Sequence, residues 1–169
     1  MADKKKENDE QMREPRDRTE ELAAEEDKPE VIKRLLKYYD EFSEVKVDKL
    51  EELYDENVTF IDPLHQLCGL DALKNYFKHT MDGVEQCHFA FSHYAENGNH
   101  LFIDWQMRLQ HPKLANGQEI VLPGVSHIEF KDDKIIMQRD YYDLGAMLYE
   151  HISLLGYVIG KVKDRMVPS

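Results

Sequence analysis

The sequence predicts an α+β domain in which N-terminal helices pack on one face of a curved antiparallel sheet and a last helix closes the chain. Three observations carry this. Apolar residues recur at helical spacing over Val31–Phe42, Val47–Leu53 and Leu70–Phe77, period two takes over from Val84 to Tyr142, and the stretch from Leu144 to about Met166 is apolar over most of its surface. A chain of 169 residues suits one such core, and neither a repeat nor a second domain is visible.

Residues 1–28 alternate acidic and basic side chains around Pro15, with little apolar beyond Met12 and Leu22. Such a segment buries too little apolar surface to offset its ordering entropy, so it reads as a disordered charged arm ahead of a domain at 29–169. Pro29 suits a first helical turn, and Ile32, Leu35, Leu36, Tyr39 and Phe42 follow on one stripe. Val47, Leu50 and Leu53 mark a second, short helix. Asn57–Asp62 alternates as a strand, stopped by Pro63. Gly69 and Asp71 open a third helix carried by Leu70, Leu73, Tyr76 and Phe77.

Four long strands come next: Val84–Ala95, Leu101–His111, Glu119–Phe130 and Lys134–Tyr142. Asn97-Gly98 is a strong hairpin signal between the first two, and Lys131-Asp132-Asp133 turns the last pair. Leu101, Ile103, Trp105, Met107 and Leu109 share one face of their strand, with Phe102, Asp104, Gln106, Arg108 and Gln110 on the other. Asp143 is placed to cap the last helix, which Gly156 and Gly160 interrupt.

Charge excludes several functions. The formal net charge is −12 and residues 1–29 account for −4 of it, with 11 acidic and 7 basic side chains, which leaves −8 on the rest. An acidic body argues against nucleic acid and against an anionic membrane surface, since phosphate binding needs a basic face. Cys68 and Cys87 form no CxxC pair and read as reduced thiols of a cytoplasmic protein. No secretory h-region precedes the domain, and the apolar stretch Ile152–Val162 is too short and too broken to span a bilayer.

Two segments carry a resemblance. Leu53-Tyr54-Asp55-Glu56-Asn57-Val58-Thr59-Phe60-Ile61-Asp62-Pro63, between a tyrosine-bearing helix and a glycine-led helix, resembles the nuclear transport factor 2-like superfamily. Gly124-Val125-Ser126-His127-Ile128-Glu129-Phe130, with a final strand ending Arg139-Asp140-Tyr141-Tyr142-Asp143, resembles its SnoaL-like branch of polyketide cyclases and ketosteroid isomerase-like proteins. The resemblance covers about residues 30–143. It implies a cone-shaped sheet around one pocket and a homodimer formed through the sheet's outer face. It implies no single activity, because this fold hosts isomerases, cyclases, hydrolases, dehydratases and non-catalytic modules.

Comparison with ketosteroid isomerase places a proton-shuttling base at Asp62 and a hydrogen-bond donor to the substrate oxygen at Tyr38. Ser126 stands where that family keeps a protonated aspartic acid, and a serine hydroxyl is a weaker donor. Comparison with SnoaL-like cyclases places an acid/base aspartate at Asp140. On the residues alone, Asp62 shares a strand face with Val58 and Phe60, where burial would raise its pKa toward a useful range. The alternative is that Asp62 only caps the turn at Pro63. His65 stands at the expected pocket mouth, and Trp105, Met107, Ser126 and Tyr142 complete the expected lining.

Metal ligation is set aside, since His88 and His93 alternate across a strand and no His-x-x-x-His or Glu-x-x-His pair lies on a helix. No cofactor is expected. Two readings follow. One is a cofactor-independent isomerase or cyclase using general acid–base catalysis on a hydrophobic carbonyl compound. The other is a non-catalytic ligand-binding or protein-interaction domain of the same fold. An open cavity around a partnered Asp62 favours the first, and a cavity filled by side chains the second.

Overall fold

The computed structural model describes residues 19–20, 22, 28–40, 44–149 and 153–166. Helix α1 (Glu30–Asp40) buries Val31, Ile32, Leu35, Leu36, Tyr38 and Tyr39, the face that its spacing predicts. A 3-10 helix, Glu44–Glu52, follows and seats Val47 and Leu50 in the same core. Strand β1 (Tyr54–Ile61) then turns into a three-residue strand β2 (Gln66–Cys68), and helix α2 (Leu70–Met81) packs Leu73 and Phe77 inward.

A meander of long strands completes the sheet: β3 (Gln86–Asn97), β4 (His100–Gln110), β5 (Ile120–Lys131) and β6 (Lys134–Tyr142). Gly98, at φ 64, takes the left-handed conformation that the tight β3–β4 turn requires. Asp143 accepts from the backbone N–H groups of Gly145 and Ala146 and is a cap as expected, but it caps a single turn α3 (Leu144–Met147) and not one helix running from Leu144 to Met166. Helix α4 (Ser153–Met166) ends the described chain. No helix among the described residues is long and apolar enough to cross a membrane.

The strand order is β2-β1-β6-β5-β4-β3. Every pair is antiparallel except β1 with β6, which run parallel, so the sheet is mixed where an antiparallel one was expected. The reason is physical. A tight turn forces its two strands antiparallel, but no turn joins β1 to β6, and tertiary packing sets their direction. β2 was also unforeseen. Three residues are too few to show a period, and the strand exists because the turn after Asp62 folds the chain back onto β1.

Alternation along β4 and β6 decides what the sheet presents to each side. Leu101, Ile103 and Trp105 are buried beneath the helices, while Phe102 and Asp104 are exposed. On β6, Gln138 is buried and Asp140 and Tyr142 follow it on the inner face, with Arg139 and Tyr141 exposed on the other. The arm expected at residues 1–28 lies almost wholly outside the described residues, of which it contributes Thr19, Glu20, Leu22 and Lys28. Thr19 and Glu20 are helical, and Leu22 is buried. The Thr19 hydroxyl accepts from the Phe91 N–H (2.8 Å) and donates to the Phe91 carbonyl (3.0 Å). Those bonds satisfy backbone groups on edge strand β3 where its register with β4 shifts.

Candidate functional site

The inner face of the sheet and the helices leave a cavity of about 240 Å3. Its wall is mostly apolar, built from residues such as Leu35, Phe60, Phe77, Phe89, Phe91 and Met107. Polar groups converge on one side of it, where β5 and β6 meet the end of β1.

Asp140 is the centre of that polar side. Its Oδ1 accepts a hydrogen bond from the Ser126 hydroxyl at 2.6 Å and from the Gln138 amide at 2.9 Å. Both donors are oriented from behind. The Trp105 indole N–H donates to Ser126 Oγ at 2.9 Å, which leaves the serine proton free for Asp140. Tyr54 donates to Gln138 Oε1 at 2.7 Å, which turns the amide nitrogen toward the carboxylate. Since Tyr54 has spent its single proton there, Tyr39 donates to Tyr54 across 3.0 Å. Tyr39, Tyr54, Gln138, Asp140, Ser126 and Trp105 thus form one chain in which each proton position follows from the next.

Burial drives the Asp140 carboxyl from its ordinary 3.8 up to about 6. The Ser126 and Gln138 bonds favour the charged form and pull the other way, while the negative charge of Asp62 adds to the rise. Two residues on, Tyr142 faces the same cavity and its phenol is pushed well above the usual range, by burial first and then by Asp62 and Asp140. It is therefore a neutral hydroxyl with a proton to donate.

Asp62 also lies on the wall, part-buried, and its carboxylate is fully engaged. Oδ1 accepts from the backbone N–H groups of Leu64 (2.8 Å) and His65 (2.7 Å), and Oδ2 accepts from the Tyr76 hydroxyl. The turn-capping arrangement is therefore present, and it also holds Tyr76 in place. Trp105, Met107, Ser126 and Tyr142 all line the cavity. His65 does not. It is exposed beyond the Asp62 turn, with its ring 5.1 Å from that of Tyr76. Tyr38 is buried outside the wall, edge-on to Tyr39 at 5.1 Å, with Glu51 and Glu52 near enough to raise its pKa beyond the effect of burial. Of the two neighbouring tyrosines on α1, Tyr39 is the one on the wall.

The wall residues that sequence reasoning passed over include Tyr39, Tyr76, Gln138 and His111. Gln138 had a signal, since it precedes Asp140 and Tyr142 by the strand period. The two tyrosines had none, because a helical tyrosine on an apolar stripe is indistinguishable from core. Gly124 has a steric role. A Cβ there would meet the Trp105 ring at 2.2 Å, so only glycine lets the indole lie flat against β5 and reach Ser126.

The family profile for the SnoaL-like domain matches residues 35–137, more than half of the chain. The chain belongs to the SnoaL-like domain family. Solved structures agree on the fold. An NTF2-like protein of unknown function from Burkholderia pseudomallei is 15% identical with a TM-score of 0.62, covering 71% of this chain and 95% of its own. A ketosteroid isomerase-like fold from Catenulispora acidiphila, crystallised with trimethylamine, is 15% identical with a TM-score of 0.62, covering 74% and 93%. TerC, co-crystallised with polyporic acid, is 17% identical with a TM-score of 0.62, covering 73% and 98%. No functionally curated protein matches the sequence. At such identities the likeness establishes the architecture of the SnoaL-like domain and not its activity.

Proposed function

We propose that this SnoaL-like domain is a cofactor-independent isomerase or cyclase that moves a proton beside the carbonyl of a hydrophobic compound, with Asp140 as its acid/base group. The observation that carries the reading is a carboxyl poised near neutrality in an apolar cavity. Asp140 Oδ1 is taken up by Ser126 and Gln138, and Oδ2 has no hydrogen-bond partner among the described residues. At pH 7 a group titrating at about 6 is mostly ionised, yet basic enough to accept a proton from carbon.

The step balances on this chain's own residues. Asp140 takes the proton from the carbon next to the carbonyl, the C–H electron pair moves into an enolate, and Tyr142 donates a hydrogen bond to the enolate oxygen. Asp140 then returns the proton to the product carbon. Tyr142 thereby takes the donor role first expected of Tyr38, and Asp62 orients Tyr76 and adds the repulsion that keeps Asp140 basic. Trimethylamine and polyporic acid in related structures support a small-molecule occupant.

The test is solvent deuterium exchange. Apolar cyclic ketones and β-keto esters are incubated with the protein in D2O, and loss of the α-proton is followed by NMR. The wild type should catalyse exchange for at least one compound that binds. Asp140→Asn should lower the rate by roughly 10²–10⁴-fold and Tyr142→Phe by roughly 10²–10³-fold. Compounds that bind tightly with no exchange above background would leave the non-catalytic ligand-binding reading in its place.

A homodimer through the outer face of the sheet belongs to the same proposal. Its support is an outer face that carries Phe102 (46% exposed), Val121 (45%) and Tyr141 (52%) on β4, β5 and β6.

A further inference from the structure

On the outer face of the sheet, away from the cavity, the β4–β5 hairpin brings together three side chains from separate parts of the sequence. His100 on β4 is the direct cross-strand partner of Glu129 on β5, and His127 stands two residues from Glu129 on the same face. Directly opposed strand residues hold their Cβ atoms about 4.5–5.5 Å apart, so the side chains meet. His100 Nδ1 lies 3.1 Å from His127 Nε2 and 3.7 Å from Glu129 Oε1, and one ligand atom from each of the three falls within 4.8 Å of the others.

The geometry points to a divalent cation site of the zinc type, with His100 Nδ1, His127 Nε2 and a Glu129 carboxylate oxygen as ligands. Two imidazole nitrogens on a tetrahedral zinc ion, each about 2.0–2.1 Å from it, stand about 3.3 Å apart, close to the separation found here. Two nitrogens and one carboxylate oxygen are a ligand set that zinc accepts, and the carboxylate supplies charge that two neutral imidazoles lack. All three residues are part-buried, which leaves a fourth position for water.

The site is also oriented in advance. Phe102, two residues along β4 from His100, stacks on the His127 ring at 4.4 Å between centroids and 6° between planes. The stack fixes the tilt of the ring and keeps Nε2 aimed at His100, the role that neighbours of metal-bound histidines usually fill. Arg139 lies opposite His127 on β6, but it is exposed, so solvent screens its charge. Sequence spacing could not reveal this cluster. Its members are 27 and 29 residues apart along the chain, and only the hairpin register joins them.

The competing account is a histidine pair that shares one proton and binds nothing. To decide, the full chain without a histidine tag is stripped with chelator and titrated with Zn2+ by calorimetry and with Co2+ by visible absorption. The expected result is one equivalent of either metal and the d–d bands of a low-coordinate cobalt site. His127→Ala and Glu129→Gln should each weaken binding by about tenfold or more, whereas His88→Ala, at an exposed histidine elsewhere, should not. Excess zinc should also raise the melting temperature of the wild type and of His88→Ala alone, since a ligand of the native state stabilises it. Should His127→Ala fail to fold, His100→Gln takes its place. Wild-type binding no tighter than that of the site variants overturns the proposal. So does a thiolate-to-cobalt charge-transfer band, because Cys68 would then be the ligand.

Discussion

Replacing Asp140 with asparagine separates the cost of the site from its use. In the folded protein burial raises the Asp140 carboxyl from 3.8 to about 6. In the unfolded chain it returns to the ordinary value, and the difference corresponds to about 3 kcal/mol. The sign is fixed by proton counting. Between about pH 4 and pH 6 the folded state holds a proton that the unfolded state has lost, so stability falls as pH rises through that window and stays low above it. Asparagine carries no charge at any pH and keeps an Oδ1 to accept from Ser126 and Gln138.

Asp140→Asn should therefore be more stable than the wild type at pH 8 by about 1–3 kcal/mol, the lower end reflecting its extra amide protons in an apolar wall. The gain should shrink toward zero at about pH 4. Urea unfolding of both proteins at the two pH values measures it, as a shifted midpoint at unchanged slope. A variant that is less stable at pH 8, or one equally stabilised at both pH values, would refute the claim that Asp140 is held at a raised pKa by burial.

Other consequences are as direct. Gly124→Ala should destabilise the fold by about 1–3 kcal/mol, because its methyl displaces Trp105 into the cavity. Trp105 is the only tryptophan, so its emission should shift and binding of apolar ligands should weaken in the same variant. Exposed Cys68 should react quickly with a disulfide reagent, whereas Cys87, buried on the cavity wall with its thiol pushed up to about 12, should react slowly and more slowly still with ligand bound. Light scattering should give twice the 20.0 kDa chain mass at micromolar concentration, and Phe102→Glu should return it to the monomer. A monomeric wild type would remove the dimer from the proposal.

The sequence alone determined whatever depends on neighbours along the chain. Period 3.6 marked α1 and α2, and period two marked β3 to β6. Asn97-Gly98 and Asp132-Asp133 marked the hairpins, and Asp143 marked the cap. Strand alternation also set Asp140 and Tyr142 on one face and Arg139 and Tyr141 on the other. Tertiary structure decided the rest. Tyr38 and Tyr39 differ by one helical step, and only the packing of α1 against β3 put Tyr39 on the wall. Asp62 and Asp140 are both carboxylates near strand ends, and only the turn at His65 committed Asp62 to backbone donors, while Asp140 accepts from side chains on Oδ1 alone. The parallel pairing of β1 with β6 and the meeting of His100 with His127 depend on register between distant segments. Periodicity reports which way a side chain points. Desolvation, hydrogen-bond supply and charge proximity, which set what it can do, depend on the elements packed against it.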